Sequence, residues 1–296
     1  MIEAFINLLK EYKEYDTLSS LLFVNKELYK YISKLNIGVI KINNRNQYNK
    51  WKYLKCSFDI KFKVNHLNYK NIVGLNLIYN SSIKDISMLT NLTNLSLLNN
   101  HTIKDISMLI NLTSLDLSEN YIIQDISMLT NLTSLDLFNN STIQDISMLT
   151  DLTSLSLNYN TIIKDISMLT KLTSLDLYNN TIKDISMLTN LTSLNLRYNN
   201  TIKDINMFTN LTNLDLFNNN TIQDISMLTK LTNLNLCNNI VIKDINMLTN
   251  LTNLDLCNNN IIKNISMLTK LTSLNLRCNN TIQDISMLTK LKVIQR

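Results

Sequence analysis

Residues 132–151 read LTSLDLFNNSTIQDISMLTD, and nearly the same string is written again and again from about Ile72 to the end of the chain. One column makes the period explicit. The acid of the I-x-D-I step falls at Asp85, Asp105, Asp125, Asp145, Asp165, Asp184, Asp204, Asp224 and Asp244, then Asn264, then Asp284. The step is 20 residues throughout, except for a single step of 19 between Asp165 and Asp184. A unit this short cannot close a core by itself, so its copies must stack and bury their aliphatic edges against one another. Within a unit, Leu92, Leu95, Leu97, Asn100, Ile103, Ile106 and Leu109 set the framework, and Leu112 begins the next.

The segment LTSLDL predicts a short strand whose two leucines on either side of the Asp point inward. Stacked at roughly 4.8 Å per strand, eleven copies predict a parallel sheet on the order of 50 Å long. The stretch DISMLT must return in too few residues for a full helix. It predicts a 3₁₀ turn, started by the Asp side chain accepting from backbone N–H groups two or three residues ahead. The 19-residue unit loses its residue between Asn180 and Ile182, after the strand, so strand register is expected to survive. With Gly 2 and Pro 0 in 296 residues, turns fall to Asn, Asp, Ser and Thr, whose side chains bond their own backbone. The abundance of Ile, Asn and Lys matches the codon bias of an AT-rich genome.

Residues 1–71 are different. They carry 13 Lys and Arg against 6 Asp and Glu, a net +7, whereas the rest carries 15 against 17, a net −2. A near-neutral repeat array is a poor phosphate tracker, which argues against nucleic acid as its partner. The Lys-bearing and aromatic-bearing segment Lys50–Lys63 is the place where such binding would have to occur. Ile2, Phe5, Ile6 and Leu9 recur at helical spacing, and Asp16 can cap a second helix carrying Leu18, Leu21, Leu22, Leu28 and Ile32. After IGVIKI, a short helix is predicted around Gln47–Leu54. The run FDIKFKV then alternates apolar Phe58, Ile60, Phe62 and Val64 with polar residues, as a half-buried strand does, and is expected to precede the first repeat strand in the same sheet. The expected organisation is a small α+β cap over residues 1–71, covering the open end of a solenoid over residues 72–296.

With these residues in hand, the chain from residue 72 onward resembles leucine-rich repeats of the L-x-x-L-x-L-x-x-N form, an α/β class of solenoid with a curved parallel sheet and short return segments. LTNLTSLDLFNN followed by DIS and Leu is most similar to the internalin and phosphatase-regulator types. It departs from them in one extra residue between Asn and Ile, a shorter return, and Met where internalins often place Pro. The resemblance implies a non-enzymatic scaffold that binds a protein on its concave sheet face; it does not carry over an adhesive function. In the leader, DTLSSLLFVNKELYKYIS is similar to the latter part of an F-box, although the usual opening Leu-Pro is absent. That resemblance implies docking to a Skp-type ubiquitin-ligase adaptor through Leu18, Leu21, Leu22, Val24 and Leu28.

Several repeated residues invite a chemical role and have a simpler structural one. The Asn column from Asn80 to Asn279 is placed to satisfy buried backbone groups of neighbouring repeats. The Asp column suggests calcium, yet each unit supplies one acid and lacks a Gly-rich turn, so capping is the expected role. Asn264 caps as well as Asp. Eleven methionines, Met88 to Met287, share one column and read as packing or semi-exposed filler. Cys237 and Cys257 share an outward column and Cys278 lies one position further on; with no CxxC and no nearby His they read as free thiols, and no metal or cofactor is expected. No Ser-His-Asp set, HExxH or phosphate-binding Gly loop occurs, so no enzymatic activity is expected.

The leader does not read as a signal peptide, and no run approaches the roughly 18 apolar residues of a membrane span. Sequons such as Asn91, Asn111 and Asn131 arise automatically in an Asn- and Thr-rich repeat. A cytoplasmic location is expected, in host cytoplasm if the protein is viral; an exported adhesin or decoy is the alternative. Specificity is expected where repeats differ. The most variable column follows the second strand leucine: Ile78, Leu98, Ser118, Phe138, Asn158, Tyr178, Arg197, Phe217, Cys237, Cys257 and Arg277. By alternation it shares the exposed sheet face with the mid-strand residues. The candidate partner-binding set is therefore Phe138, Asp136, Tyr178, Asp176, Arg197, Phe217, Asp215 and Arg277.

Overall fold

The computed structural model describes residues 72–296 in full and the backbone of two earlier strands, β1 (Val39–Ile42) and β2 (Cys56–Ile60). The helices expected over Ile2–Leu9, Asp16–Ile32 and Gln47–Leu54, and with them the F-box-like residues Leu18, Leu21, Leu22, Val24 and Leu28, lie outside the described residues. The chain divides into two compact units, residues 1–135 and 136–296.

In the first unit, β1 pairs with β2, β2 with β3 (Ile72–Asn76), β3 with β4 (Asn94–Ser96) and β4 with β5 (Ser114–Asp116), all parallel. The strand expected in FDIKFKV thus joins the repeat sheet, two positions earlier in its start and with a register shift between Cys56 and Ser57. Strand β6 (Ser134–Asp136) falls at the junction of the units. In the second unit, β7 (Ser154–Ser156), β8 (Ser174–Asp176), β9 (Ser193–Asn195), β10 (Asn213–Asp215), β11 (Asn233–Asn235), β12 (Asn253–Asp255), β13 (Ser273–Asn275) and β14 (Val293–Gln295) pair in chain order, again parallel. Each unit is a stack of repeats in which like residue pairs with like. Leu214 sits against Leu194 and Leu234, so identical side chains form continuous rows.

Those rows are the core. Leu92, Leu97, Leu109 and Leu112, with Ile103 and Ile106, are essentially sealed from solvent, as are their equivalents in the second unit. Phe208 replaces Leu in one rung and is fully buried. Burial of this kind contributes about 1.5–3 kcal/mol per side chain, and each rung supplies seven such positions or fewer. The Asn column closes the polar ledger between rungs. Asn100 donates through Nδ2 to the carbonyls of Leu77 (3.0 Å) and Asn80 (2.8 Å), while its Oδ1 accepts from the N–H groups of Thr102 and Ile103 (both 3.1 Å). Asn259 repeats the set in the second unit, with Leu236, Asn239, Ile261 and Ile262 as partners. In the 19-residue unit the strands stay in step, Leu175 against Leu194, and Asn180 Oδ1 accepts from Ile182 alone of the two usual positions. The missing residue takes its own N–H with it, so the Asn180 oxygen serves one donor instead of two.

The return holds the expected 3₁₀-type turn and a second one directly after it. Leu89 N–H donates to Ile86 and Leu92 N–H to Leu89, each an i+3 to i bond of the 3₁₀ kind, joined end to end without overlap. No helix is present among the described residues, hence none long and apolar enough to cross a membrane. The Asp column caps the first turn as expected: Asp85 Oδ1 accepts from Ser87 N–H at 2.9 Å, and Asn264 does the same for Ser266 at 2.9 Å. Accepting the Ser87 backbone N–H, and then its hydroxyl, holds the Asp85 carboxyl below its ordinary value. The methionines that follow are exposed rather than packed, Met88 by 62%.

Candidate functional site

At the mid-strand position the polar side chain turns back on its own backbone. Asp136 Oδ1 accepts from Phe138 N–H (2.9 Å), Asp176 Oδ1 from Tyr178 (3.1 Å), Asp215 Oδ1 from Phe217 (2.9 Å), and Asn195 and Asn275 do the same for Arg197 (3.0 Å) and Arg277 (3.1 Å). Each bond stops the strand after three residues and fixes the variable side chain at the rim of the sheet face. The next residue has positive φ in every unit, from 49° at Asn139 and Asn179 to 56° at Asn238. Asn fills this left-handed position at Asn99, Asn139, Asn179, Asn218, Asn238 and Asn258, as its tolerance of that region explains. Tyr159 (φ 55°) and Tyr198 (φ 52°) occupy it at greater steric cost.

Those two tyrosines complete a run of rings along one rim of the second unit. Phe138 meets Tyr159 edge-on with centroids 5.8 Å apart, Tyr159 meets Tyr178 at 4.8 Å, Tyr178 meets Tyr198 at 5.6 Å, and Tyr198 meets Phe217 at 5.2 Å. The Tyr159 hydroxyl donates to that of Tyr178 at 2.8 Å. Edge-to-face pairs of this spacing contribute about 0.5–1.5 kcal/mol each beyond area burial, so the rim is a defined surface rather than five loose rings.

Arg197 lies inside this run. Its guanidinium is 4.6 Å from the Phe217 centroid and 5.8 Å from that of Tyr178, and its Nη1 is 3.7 Å from Asp215 Oδ2. Its Nε is buried without a hydrogen-bond partner, so the ring faces and the Asp215 carboxylate together hold the group. Burial raises the Asp215 carboxyl above its ordinary value, and this outweighs the opposing Phe217 N–H, Arg197 and Asn235. Along β9–β14 the sheet face forms a groove of about 440 Å³, lined by neutral amides such as Asn213, Asn233 and Asn253 and by Asp215 and Asp255.

Of the eight candidate residues, Phe138, Tyr178, Arg197, Phe217 and Asp215 come together here. Asp136 and Asp176 belong to the same rungs; like Asp215, each gives one oxygen to the backbone, and Asp176 Oδ2 also accepts from Asn158 at 3.0 Å. Arg277, exposed, stands three rungs beyond Phe217 and outside the run. Tyr159 and Tyr198 lie outside the most variable column; they belong to the adjacent one, where Tyr interrupts Asn. The thiols of Cys237, Cys257 and Cys278 are free and grade from buried to exposed. Burial first, and then the neighbouring Cys257, pushes the Cys237 thiol up to about 12. Among the described residues no three of His, Cys, Asp and Glu are grouped to hold a metal ion.

Residues 170–209 match the family model for Leucine Rich repeats (2 copies). An internalin (inlF) of Listeria monocytogenes is 33% identical in sequence, with a TM-score of 0.65 over 92% of this chain and 88% of that one. The functional domain of InlJ from the same organism, which includes a cysteine ladder, shares the fold at 22% identity and TM-score 0.62, over 93% of this chain and 71% of its own. So does a leucine-rich-repeat protein of Leptospira interrogans, at 24% identity and TM-score 0.56, over 88% of this chain and 77% of its own. No curated protein matches the chain.

Proposed function

From the premise that this chain belongs to the leucine-rich-repeat family, with repeats of the internalin type, we propose that it is a non-enzymatic scaffold binding a protein partner on the sheet face of residues 136–296. The carrying observation is the contiguous rim Phe138–Tyr159–Tyr178–Tyr198–Phe217 with Arg197. Aromatic and Arg residues are the side chains enriched at energetic hot spots, and here they supply large contact area with little rotamer freedom to lose. Each rung otherwise repeats the same groups, whereas catalysis requires unlike groups converging on one point.

The test is the double substitution Phe138→Ala with Phe217→Ala. A captured protein partner should be held at least about tenfold more weakly while the melting temperature moves little, since both rings are only half-buried. Undiminished capture sinks the proposal, and a large melting shift shows that the rings belong to the core.

A role as an F-box-like substrate adaptor in the cytoplasm is a separate extension of the proposal, supported by DTLSSLLFVNKELYKYIS alone. Co-purification of a Skp-type adaptor with the full chain, lost on removing residues 1–36, is its expected signature; absence of the adaptor from both samples removes it.

A further inference from the structure

The rim carries information about the chemistry of its partner. We infer that it takes an extended segment bearing Arg or Lys, whose cationic groups seat over Phe138 and Tyr159 and beside the carboxylates of Asp136 and Asp176. This rests on the scaffold reading above and names the ligand of that same surface.

Three observations converge on a cation. The protein already places one on these rings: Arg197 lies 4.6 Å from the Phe217 centroid, at one end of the run. Among the described residues it is the cation found over the rim, which leaves the faces toward Phe138 to be covered from outside. Second, the charges complement a basic segment. The outward columns of residues 136–296 carry Asp136, Asp176, Asp215 and Asp255 against Arg197 and Arg277, and over the rim itself three carboxylates face one guanidinium. The remaining outward residues there are neutral Asn, Ser, Cys and rings, so the face is net acidic with electron-rich faces at its centre. Third, Tyr159 and Tyr198 hold left-handed backbone that six other units give to Asn. Tyr79 holds the same backbone in the first unit, so it is contact that marks Tyr159 and Tyr198: these two rings join Phe138, Tyr178 and Phe217 into an unbroken run.

Length fits as well. Five rungs at roughly 4.8 Å give a rim of about 19 Å, the span of about six residues of extended chain, with side chains of one face recurring roughly every 6.7 Å. Two cations on alternate residues, roughly 6.7 Å apart at their Cα atoms and carried on flexible stems, can therefore reach Phe138 and Tyr159, whose centroids lie 5.8 Å apart. The sheet-face groove over β9–β14, with Asp215 and Asp255, continues the same acidic surface.

The experiment is selection of a random dodecapeptide display library on the full-length protein, followed by affinity measurement of the selected peptides. Two fold-compatible variants serve as controls. Tyr159→Asn with Tyr198→Asn installs the residue most other units carry, and Asp136→Asn with Asp176→Asn installs the amide found at Asn195 and Asn235. Selected peptides should be enriched in Arg and Lys at alternate positions, should bind more weakly as salt rises, and should lose roughly tenfold in affinity on each double variant. Rim-dependent peptides that are acidic or uncharged overturn the cationic ligand while leaving the scaffold standing. Basic peptides that bind both variants as well as the parent place the cation site elsewhere and overturn the inference. Failure to recover any rim-dependent peptide counts against both.

Discussion

Tyr159 and Tyr178 stand on neighbouring rungs with rings edge-on at 4.8 Å and hydroxyls 2.8 Å apart, Tyr159 donating. One comes from the variable column and the other from the left-handed position of the preceding unit, so the contact links two columns as well as two repeats. Because its proton is engaged by Tyr178, Tyr159 is held above the ordinary tyrosine value, with desolvation a smaller cause.

In an alkaline titration followed by tyrosinate absorbance, Tyr159 should therefore ionise later than an ordinary tyrosine. Tyr178→Phe removes the acceptor and should return Tyr159 toward its usual value. The sign for stability follows: the contribution is complete below the unfolded-state value and is lost as pH rises through the folded one. An unchanged Tyr159 titration in the variant would refute the hydroxyl pair.

Asn259→Ala should cost about 3 kcal/mol by denaturant unfolding. It strips partners from the carbonyls of Leu236 and Asn239 and from the N–H groups of Ile261 and Ile262, all in the buried seam between rungs. A loss below about 1 kcal/mol would mean that water replaces the amide.

Asp85, Asp105, Asp125, Asp145, Asp165, Asp184, Asp224 and Asp284 are each lowered by the backbone N–H of the Ser two residues on, and then by its hydroxyl. Their stabilisation is present above the unfolded value, near about 4, and disappears as pH falls through the folded values. Thermal melts should show a steep, multi-proton loss on acidification. Replacing several of these residues by Asn, as Asn264 already does, should flatten the acid limb while preserving stability at neutral pH. An acid limb of undiminished slope in that variant would refute the capping account.

Among Cys237, Cys257 and Cys278, alkylation of the native protein, followed by peptide mass spectrometry, should proceed at Cys278 first and Cys237 last. Cys278 is exposed, whereas Cys237 is buried with its thiol pushed up to about 12. Equal labelling would mean that the rim opens in solution.

Tyr79→Asn should stabilise the first unit by up to about 1 kcal/mol, read as a higher denaturation midpoint. Tyr79 holds φ 55° with 68% of its surface exposed, so it bears the left-handed cost with little burial in return. A lower midpoint would show that its ring packs more than its exposure implies.

The framework was legible because every structural demand recurs at one period. Leu95 and Leu97 had to be inward, Asn100 had to bridge rungs, and Asp105 had to cap, whichever copy was read. The 3₁₀-type turn of the return was legible from its Asp cap, whereas the second turn that follows end to end has no such cap to announce it. Part of the rim was legible too: Phe138, Tyr178, Arg197 and Phe217 follow from alternation along a strand. Tyr159 and Tyr198 do not, because alternation ends where the Asp136-type bond halts the strand, and positive φ brings the following residue back to the same edge. A column filled mostly by Asn looks like turn chemistry until its exceptions are placed in space.

The 19-residue unit shows how such a gene can change length. Excising the position between Asn180 and Ile182 removes a backbone donor together with its need for an acceptor, and Leu175 still meets Leu194. Recombination between misaligned copies can therefore add, drop or trim units and yield a foldable product at once. The order of rings along the rim becomes something that copying errors shuffle, with selection acting on arrangements rather than on single substitutions.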